Sequence, residues 1–344
     1  MNLQRFSVAT FNLYNLQLPG LRMNPGQRVW TDEEYARKIA WIAERLRTLD
    51  ADVVGLEELW HREAMEQALA LAGLTDEYEL LGDPADGRRI ICAALVRKGL
   101  RTGDAEWIDV FPPAVRLESA TPMDPQSPAI KVAIGNFARP VLHVRIAPRD
   151  DHPPVEVYVA HLKSKLPIRI DTEPWFTRAP ELYKPHATAI GAALSTIQRT
   201  AEATALRVLL TEVMKGTVTP VIVLGDINDG QHSNTVNIIT EQPRYLVGDA
   251  RGGADVGLYT AQTLQEYRDT RDVYYTHVHA DLRESLDHVL VSEQFYDNSR
   301  RRLWVFDGLA IDNDHLNVDD HRAAGTGDHG VVKVTFAYRP FRAA

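Results

Sequence analysis

A single cysteine, Cys92, stands in 344 residues, so the chain cannot close an intrachain disulfide. Its neighbours Ile90, Ile91, Ala93 and Leu95 read as a buried strand. The thiol is therefore expected to be a packing group, which fits a reducing compartment. Long apolar runs are missing as well: stretches such as Val221 to Leu224 are far too short to span a bilayer. The opening, Met1 into Phe6-Ser7-Val8-Ala9-Thr10, has no charged segment followed by an apolar one. The expectation is a cytoplasmic protein without a membrane span. Excess positive charge is also absent. The formal charge is −9, whereas a protein that holds nucleic acid mainly by neutralising phosphates is usually basic. That argues against tight duplex binding. It leaves a small or briefly held substrate, locally gathered cations, or a bound metal that reverses the sign of the site. Tandem repeats, low-complexity tracts and interdomain linkers are lacking too, so residues 1–344 are expected to form one domain.

What is present is a mixture of short apolar strands and helical patterns. Arg5 to Phe11 reads as a buried strand that breaks at Asn12. Thr31-Asp32-Glu33-Glu34 supplies a hydroxyl cap and early carboxylates for a helix, continued by Ile39, Ile42, Ala43 and Leu46 at helical spacing. Asp52 to Leu56 is a strand ending at Glu57-Glu58, followed by a helix over Glu63 to Ala72. Ile90 to Arg97, Val141 to Ile146 and Val155 to Ala160 read as further strands. The near-continuous apolar character of the first and last suits a sheet covered on both faces. A long helix is expected from His186 to Lys215, a strand over Val221 to Leu224, and closing strands at Leu286 to Val291 and Val331 to Tyr338. Surface excursions fall near 111–128, 167–185 and 248–272, the last of them irregular.

Chemistry-bearing residues recur where these strands stop. Val223-Leu224-Gly225-Asp226-Ile227-Asn228 delivers an acid and an amide onto one side of a departing loop. Asp226 could take a proton while Asn228 donates to an oxygen of the same phosphate. Taken alone, the stretch reads equally well as a turn. Gly327-Asp328-His329-Gly330 feeds the last strand, with adjacent side chains that project differently, one suited to metal and the other to substrate. His161 ends an apolar strand and leads into Leu162-Lys163-Ser164-Lys165. A lone histidine there is more often structural, but the two lysines favour an anion site. Glu57 and Glu58 end another strand, where one carboxylate can point inward and the other outward. Asp287, inside Leu286-Asp287-His288-Val289-Leu290, is an acid in an apolar strand and needs a cation or imidazole as partner.

The order of these pieces is what makes them specific. Thr10-Phe11-Asn12-Leu13-Tyr14-Asn15-Leu16, then Glu58, His161, Gly225-Asp226-Ile227-Asn228, Asp287 and Gly327-Asp328-His329 together resemble the endonuclease/exonuclease/phosphatase superfamily over nearly the whole chain. The resemblance implies an α/β fold, a four-layer α/β sandwich of two packed mixed β-sheets flanked by helices. It implies Mg²⁺ or Mn²⁺ held at one edge by Glu58, Asn12 and Asp328. By position, Asp226 would orient or deprotonate the attacking water and Asn228 would steady the phosphate. His329 would contact the phosphate with Asp287 fixing its ring, and His161 would stabilise developing charge. Two departures stand out. Relatives usually carry Gln where this chain has Glu57, so the extra carboxylate either strengthens metal binding or faces away. Some DNA-repair members carry Tyr where this chain has His161, and His161-Leu162-Lys163-Ser164-Lys165 is more similar to the bacterial nuclease-like branch.

The leading expectation is a nuclease or nucleotide phosphodiesterase with a nucleic acid or nucleotide substrate, its phosphates met by Lys163 and Lys165, and no obvious protein partner. A phosphatase or phosphodiesterase acting on a small or lipid headgroup is the alternative, favoured by the acidic charge. A silent binding module would need lost chemistry, and every expected acid and imidazole is present. His288 is read as packing or surface, because it faces away from Asp287. Asp312, Asp314, His315, Asp319, Asp320 and His321 are read as a solvated acidic loop bordering the site. Arg199, Glu202 and Arg207 are expected to be solvent-facing or paired along their helix, and Trp175, Phe176 and Tyr183 to form a substrate lid.

Overall fold

The computed structural model describes residues 2–22, 28–120, 126, 128–241, 256–269, 275–318 and 320–342. Asp319, residues 248–255 and 270–272 of the third excursion, and most of 121–127 lie outside them. Two six-stranded mixed sheets form the centre. The first runs, in spatial order, Trp304–Asp312, Val331–Tyr338, Arg5–Leu16, Val53–His61, Asp86–Arg97 and Tyr78–Leu81. The second runs Tyr259–Thr260, Asp287–Val291, Val221–Asp226, Val155–Val159, Asn136–Ile146 and Glu106–Val110. Each sheet has one parallel pair at its middle: Arg5–Leu16 beside Val53–His61, and Val155–Val159 beside Val221–Asp226. All their other pairings are antiparallel.

The apolar runs of these central strands split by alternation between two environments, as strands covered on both faces must. Val8, Val53, Val157, Val159, Ile222 and Leu224 enter the core between the sheets, where Cys92 is also buried. Ala9, Phe11, Val54 and Leu56 instead meet the helices Asp32–Leu49 and Arg62–Ala72. Tyr158, Ala160, Val221 and Val223 meet the long helix Ala187–Met214. The order helix, sheet, sheet, helix is the four-layer sandwich expected. Thr31 supplies the hydroxyl cap expected of the first helix, and Glu34 completes it into a capping box.

Several expectations need correction. The first strand does not break at Asn12 but continues to Leu16 through a register shift, and the second continues to His61 through a shift after Leu56. The stretch 248–272 is not wholly irregular, since Tyr259–Thr260 pairs with Asp287–Val291 and Ala261–Glu266 is helical. The strand Val141 to Ile146 begins earlier, at Asn136. Arg199, Glu202 and Arg207 are not solvent-facing: all three are buried, Arg199 bonds to the loop after His161, and Glu202 bonds to that loop and to the strand Asn136–Ile146.

Candidate active site

Both central parallel pairs point their carboxyl ends at the same edge of the sandwich, where loops from the two sheets converge. At the first pair the register shifts just where chemistry begins, and Tyr14, Asn15 and Glu58 take left-handed backbone conformations with φ of 50°, 51° and 63°. This breaks the ordinary alternation of Glu57 and Glu58. Glu58 turns into a cavity of about 980 Å³, and its Oε2 accepts the Asn15 backbone N–H at 2.8 Å. Glu57 is fully buried beneath it, its Oε1 accepting the Thr10 hydroxyl at 2.9 Å, and it does not line the cavity. Burial and the nearby Asp287 hold the Glu57 carboxyl well above its usual range, which favours its neutral form. A neutral acid offers a donor and an acceptor, as the glutamine of relatives would.

At the second pair, Gly225 has φ 138° and a side chain there would begin 1.9 Å from the Ala160 carbonyl oxygen. Only glycine lets the two strands end this close together. The approach places His161 Nε2 3.5 Å from Asp226 Oδ2. Asn228, also left-handed at φ 58°, donates its backbone N–H to Asp226 Oδ1 at 2.8 Å and its side-chain amide to the Leu162 carbonyl at 3.0 Å.

Asp226 is the hub. Its Oδ2 accepts the Asn12 amide at 3.2 Å and lies 3.9 Å from His329 Nε2. Asp287 sits opposite Asp226 in the antiparallel register and meets His329 Nδ1 at 2.8 Å, the partner a buried acid requires. Burial pushes the Asp226 carboxyl up, against the His329 charge, to about 7. Burial would lower His329, but Asp287 and Asp226 outweigh it and hold the ring well above its usual range, as an imidazolium. His161 behaves oppositely. Burial and then the Arg139 charge drive it well below its usual range, so it sits beside Asp226 as a neutral imidazole.

The residues expected to hold a divalent cation fit one. Burial and then Asp328 raise the Glu58 carboxyl, a repulsion that a cation between them would relieve. Asp328 Oδ1 is shielded from solvent with no hydrogen-bond partner. Asn12 is buried behind them, its Oδ1 accepting the Tyr14 N–H at 3.0 Å. Hard oxygen donors of this kind suit Mg²⁺ or Mn²⁺. Among the described residues, ligand atoms of His277, Asp328 and His329 lie within 4.8 Å of one another, as do those of Asp226, Asp287 and His329.

All the expected residues therefore converge, with Asn12 and Asp287 behind the cavity wall and the others on it. Lys163 and Lys165 also line the cavity; Lys165 pairs with Glu284 at 2.7 Å, while the Lys163 ammonium donates to the Ser164 and Leu166 oxygens. His288 packs as expected, its Nε2 at 2.8 Å from the Asp229 carbonyl. Trp175, Phe176 and Tyr183 pack on one another and do not line the cavity. Most of the acidic loop is structural: Asp312 pairs with Arg45, Asp320 caps a short helix, and His315 meets the His329 carbonyl. Sequence reasoning missed Arg139 and His277, both on the cavity wall. Their signals were slight, a lone arginine in Phe137-Ala138-Arg139-Pro140 and the pair in His277-Val278-His279.

The sequence model of the Endonuclease/Exonuclease/phosphatase family matches residues 9–329. The chain belongs to that family. Its members are metal-dependent enzymes that hydrolyse phosphate esters, and this chain is an enzyme of that kind. No curated protein matches it by sequence. A humanized D. rerio TDP2 is similar in structure at 15% identity and TM-score 0.55, over 97% of this chain and 99% of the other. The human nocturnin catalytic domain is similar at 15% and 0.53, over 98% and 97%. An endonuclease/exonuclease/phosphatase from Bacteroides vulgatus is similar at 13% and 0.52, over 97% and 99%. At such identities these likenesses show the fold. No helix among the described residues is long and apolar enough to cross a membrane.

Proposed function

We propose that this chain is a phosphodiesterase dependent on Mg²⁺ or Mn²⁺ that hydrolyses nucleic acid or nucleotides by in-line attack of water. The observation that carries the reading is the pairing of Asp226, a carboxyl poised near neutrality, with the imidazolium of His329 across one cavity. Ionised Asp226 takes the proton of the attacking water. Asn228 and His329 donate to the phosphate oxygens, and Asp287 keeps the ring oriented and charged as negative charge builds. His161, neutral, offers an N–H at the same carboxylate edge without adding charge. A cation on Glu58 and Asp328, with Asn12 beside them, would supply Lewis-acid neutralisation of phosphate oxygens. Lys163 and Lys165 stand on the same wall, the second already paired with Glu284. A D. rerio TDP2 in complex with a single-strand DNA product shares the fold at 16% identity, which supports a nucleic-acid substrate.

The test is hydrolysis of bis-p-nitrophenyl phosphate, DNA, RNA, dinucleotides, inositol phosphates and sphingomyelin with Mn²⁺ or Mg²⁺. Diester turnover that EDTA stops is expected, with Asp226→Asn and His329→Ala lowering it by about 10³-fold or more while leaving the fold intact. Metal-independent turnover, or variants that keep wild-type rates, would overturn the assignment. Strict selection of phosphomonoesters would move the chain to the phosphatase reading.

A further inference from the structure

Four arginines and lysines on the cavity wall have identifiable occupations. Arg88 pairs with Asp86, Arg89 with Asp109, and Lys165 with Glu284, so each is neutralised at short range. Lys163 spends its ammonium on the Ser164 and Leu166 oxygens, and burial followed by the Arg139 charge lowers its pKa. Arg139 is different. Among the described residues its guanidinium makes one hydrogen bond, from Nη1 to the Leu162 carbonyl at 3.1 Å, and no carboxylate lies within 4.0 Å of it. Five N–H groups in a rigid fork are far more than one carbonyl uses.

The same Leu162 carbonyl accepts the Asn228 amide at 3.0 Å. Arg139 and Asn228 thus share one acceptor, which sets the free edge of the guanidinium beside the amide that steadies the phosphate. The charge reaches Glu58 and His161 as well, so it acts at the centre of the site and not at its rim. Its placement is built from behind. Glu202, buried on the long helix, accepts the Ala138 N–H at 3.1 Å and the Lys163 N–H at 2.7 Å, tying the backbone before Arg139 to the loop after His161. A cation fixed in this way, with no carboxylate within 4.0 Å among the described residues, is a receptor for an anion.

We propose that Arg139 is a further catalytic residue whose guanidinium grips a non-bridging oxygen of the phosphate that Asn228 and His329 hold. The inference rests on the phosphoesterase reading, but not on which ester is cleaved. Arg139 thus brings a positive charge beside Asn228, where both side chains donate to the Leu162 carbonyl.

The probe is inorganic phosphate, titrated calorimetrically into the full chain, alongside steady-state hydrolysis. Arg139→Met removes the fork, and Arg139→Gln keeps a donor for the Leu162 carbonyl without the charge. Both are expected to bind phosphate at least ~10-fold more weakly and to lose ~10²-fold in kcat/KM, and added guanidinium ion should restore part of the Arg139→Met loss. Arg88→Met, which removes a paired arginine, should change neither. Should Arg139→Met fail to fold, Arg139→Gln decides alone. Phosphate affinity unchanged in Arg139→Gln overturns the assignment whatever its turnover, and so does a wild-type chain that binds no phosphate at millimolar concentration. A wild-type chain that binds phosphate through Arg139 yet cleaves no diester would leave this contact standing and remove the diesterase reading instead.

Discussion

Glu57 is a buried acid held out of the cavity that Glu58 lines. It is wholly buried, hydrogen-bonded to Thr10, and kept neutral by burial and by Asp287. An unfolded chain ionises the same group near the usual carboxylate range, so the folded state holds the extra proton at neutral pH. The stability this confers is complete below the unfolded pKa and drains away as pH rises toward the folded one, at about 1.4 kcal/mol per pH unit. Glu57→Gln removes the titration while keeping a donor and an acceptor. Melting curves in EDTA across pH 5 to 9 should therefore show wild type losing stability with rising pH more steeply than the variant. The variant should be the more stable of the two at the alkaline end. Parallel curves would mean that Glu57 ionises normally inside the fold.

At the scale of elements, the site depends on how closely two strands can end. The 1.9 Å approach of a Gly225 Cβ to the Ala160 carbonyl oxygen and its φ of 138° leave alanine no room and no conformation. Gly225→Ala should cost more than about 3 kcal/mol, combining backbone strain with displacement of the neighbouring strand, and should separate His161 from Asp226. Urea unfolding and diester turnover measure the two effects; a variant with wild-type stability would show that the strands part freely. This junction also explains what was legible beforehand. Gly225-Asp226-Ile227-Asn228 closes one apolar strand and Gly327-Asp328-His329 leads into another, so the sequence announces them. Arg139 is a single charge early in a strand, and nothing in its neighbours says whether it faces water or a cavity. Glu202 and Arg199 looked like ordinary helix-surface charges because their partners, Ala138, Lys163 and Asp229, come from other elements. Tyr259–Thr260 is too short to show any period, and the bulge between Phe306 and Gly308 interrupts the alternation of Trp304–Asp312.

The whole molecule gathers like charges that the unfolded chain keeps apart. Glu58, Asp226 and Asp328 are distant in sequence, and folding alone brings them to one edge of a protein whose net charge is −9. Burial and mutual repulsion raise both the Glu58 and the Asp226 carboxyls, which is a cost borne only by the folded state. A divalent cation at Glu58 and Asp328, the ligands proposed above, would relieve it and would have no equivalent site in the unfolded chain. Binding should therefore stabilise the fold, by about 2.7 kcal/mol at a concentration a hundred times the dissociation constant. Thermal melts with increasing Mn²⁺ should rise by a few degrees, and so should those with Mg²⁺. Glu58→Gln should behave differently in two respects. Without metal it should melt higher than wild type, because one of the repelling charges is gone, and adding metal should move it little. A metal shift as large in Glu58→Gln as in wild type would place the cation elsewhere in the cavity. Equal melting of the two proteins in EDTA would show that the crowded carboxylates carry no strain to relieve.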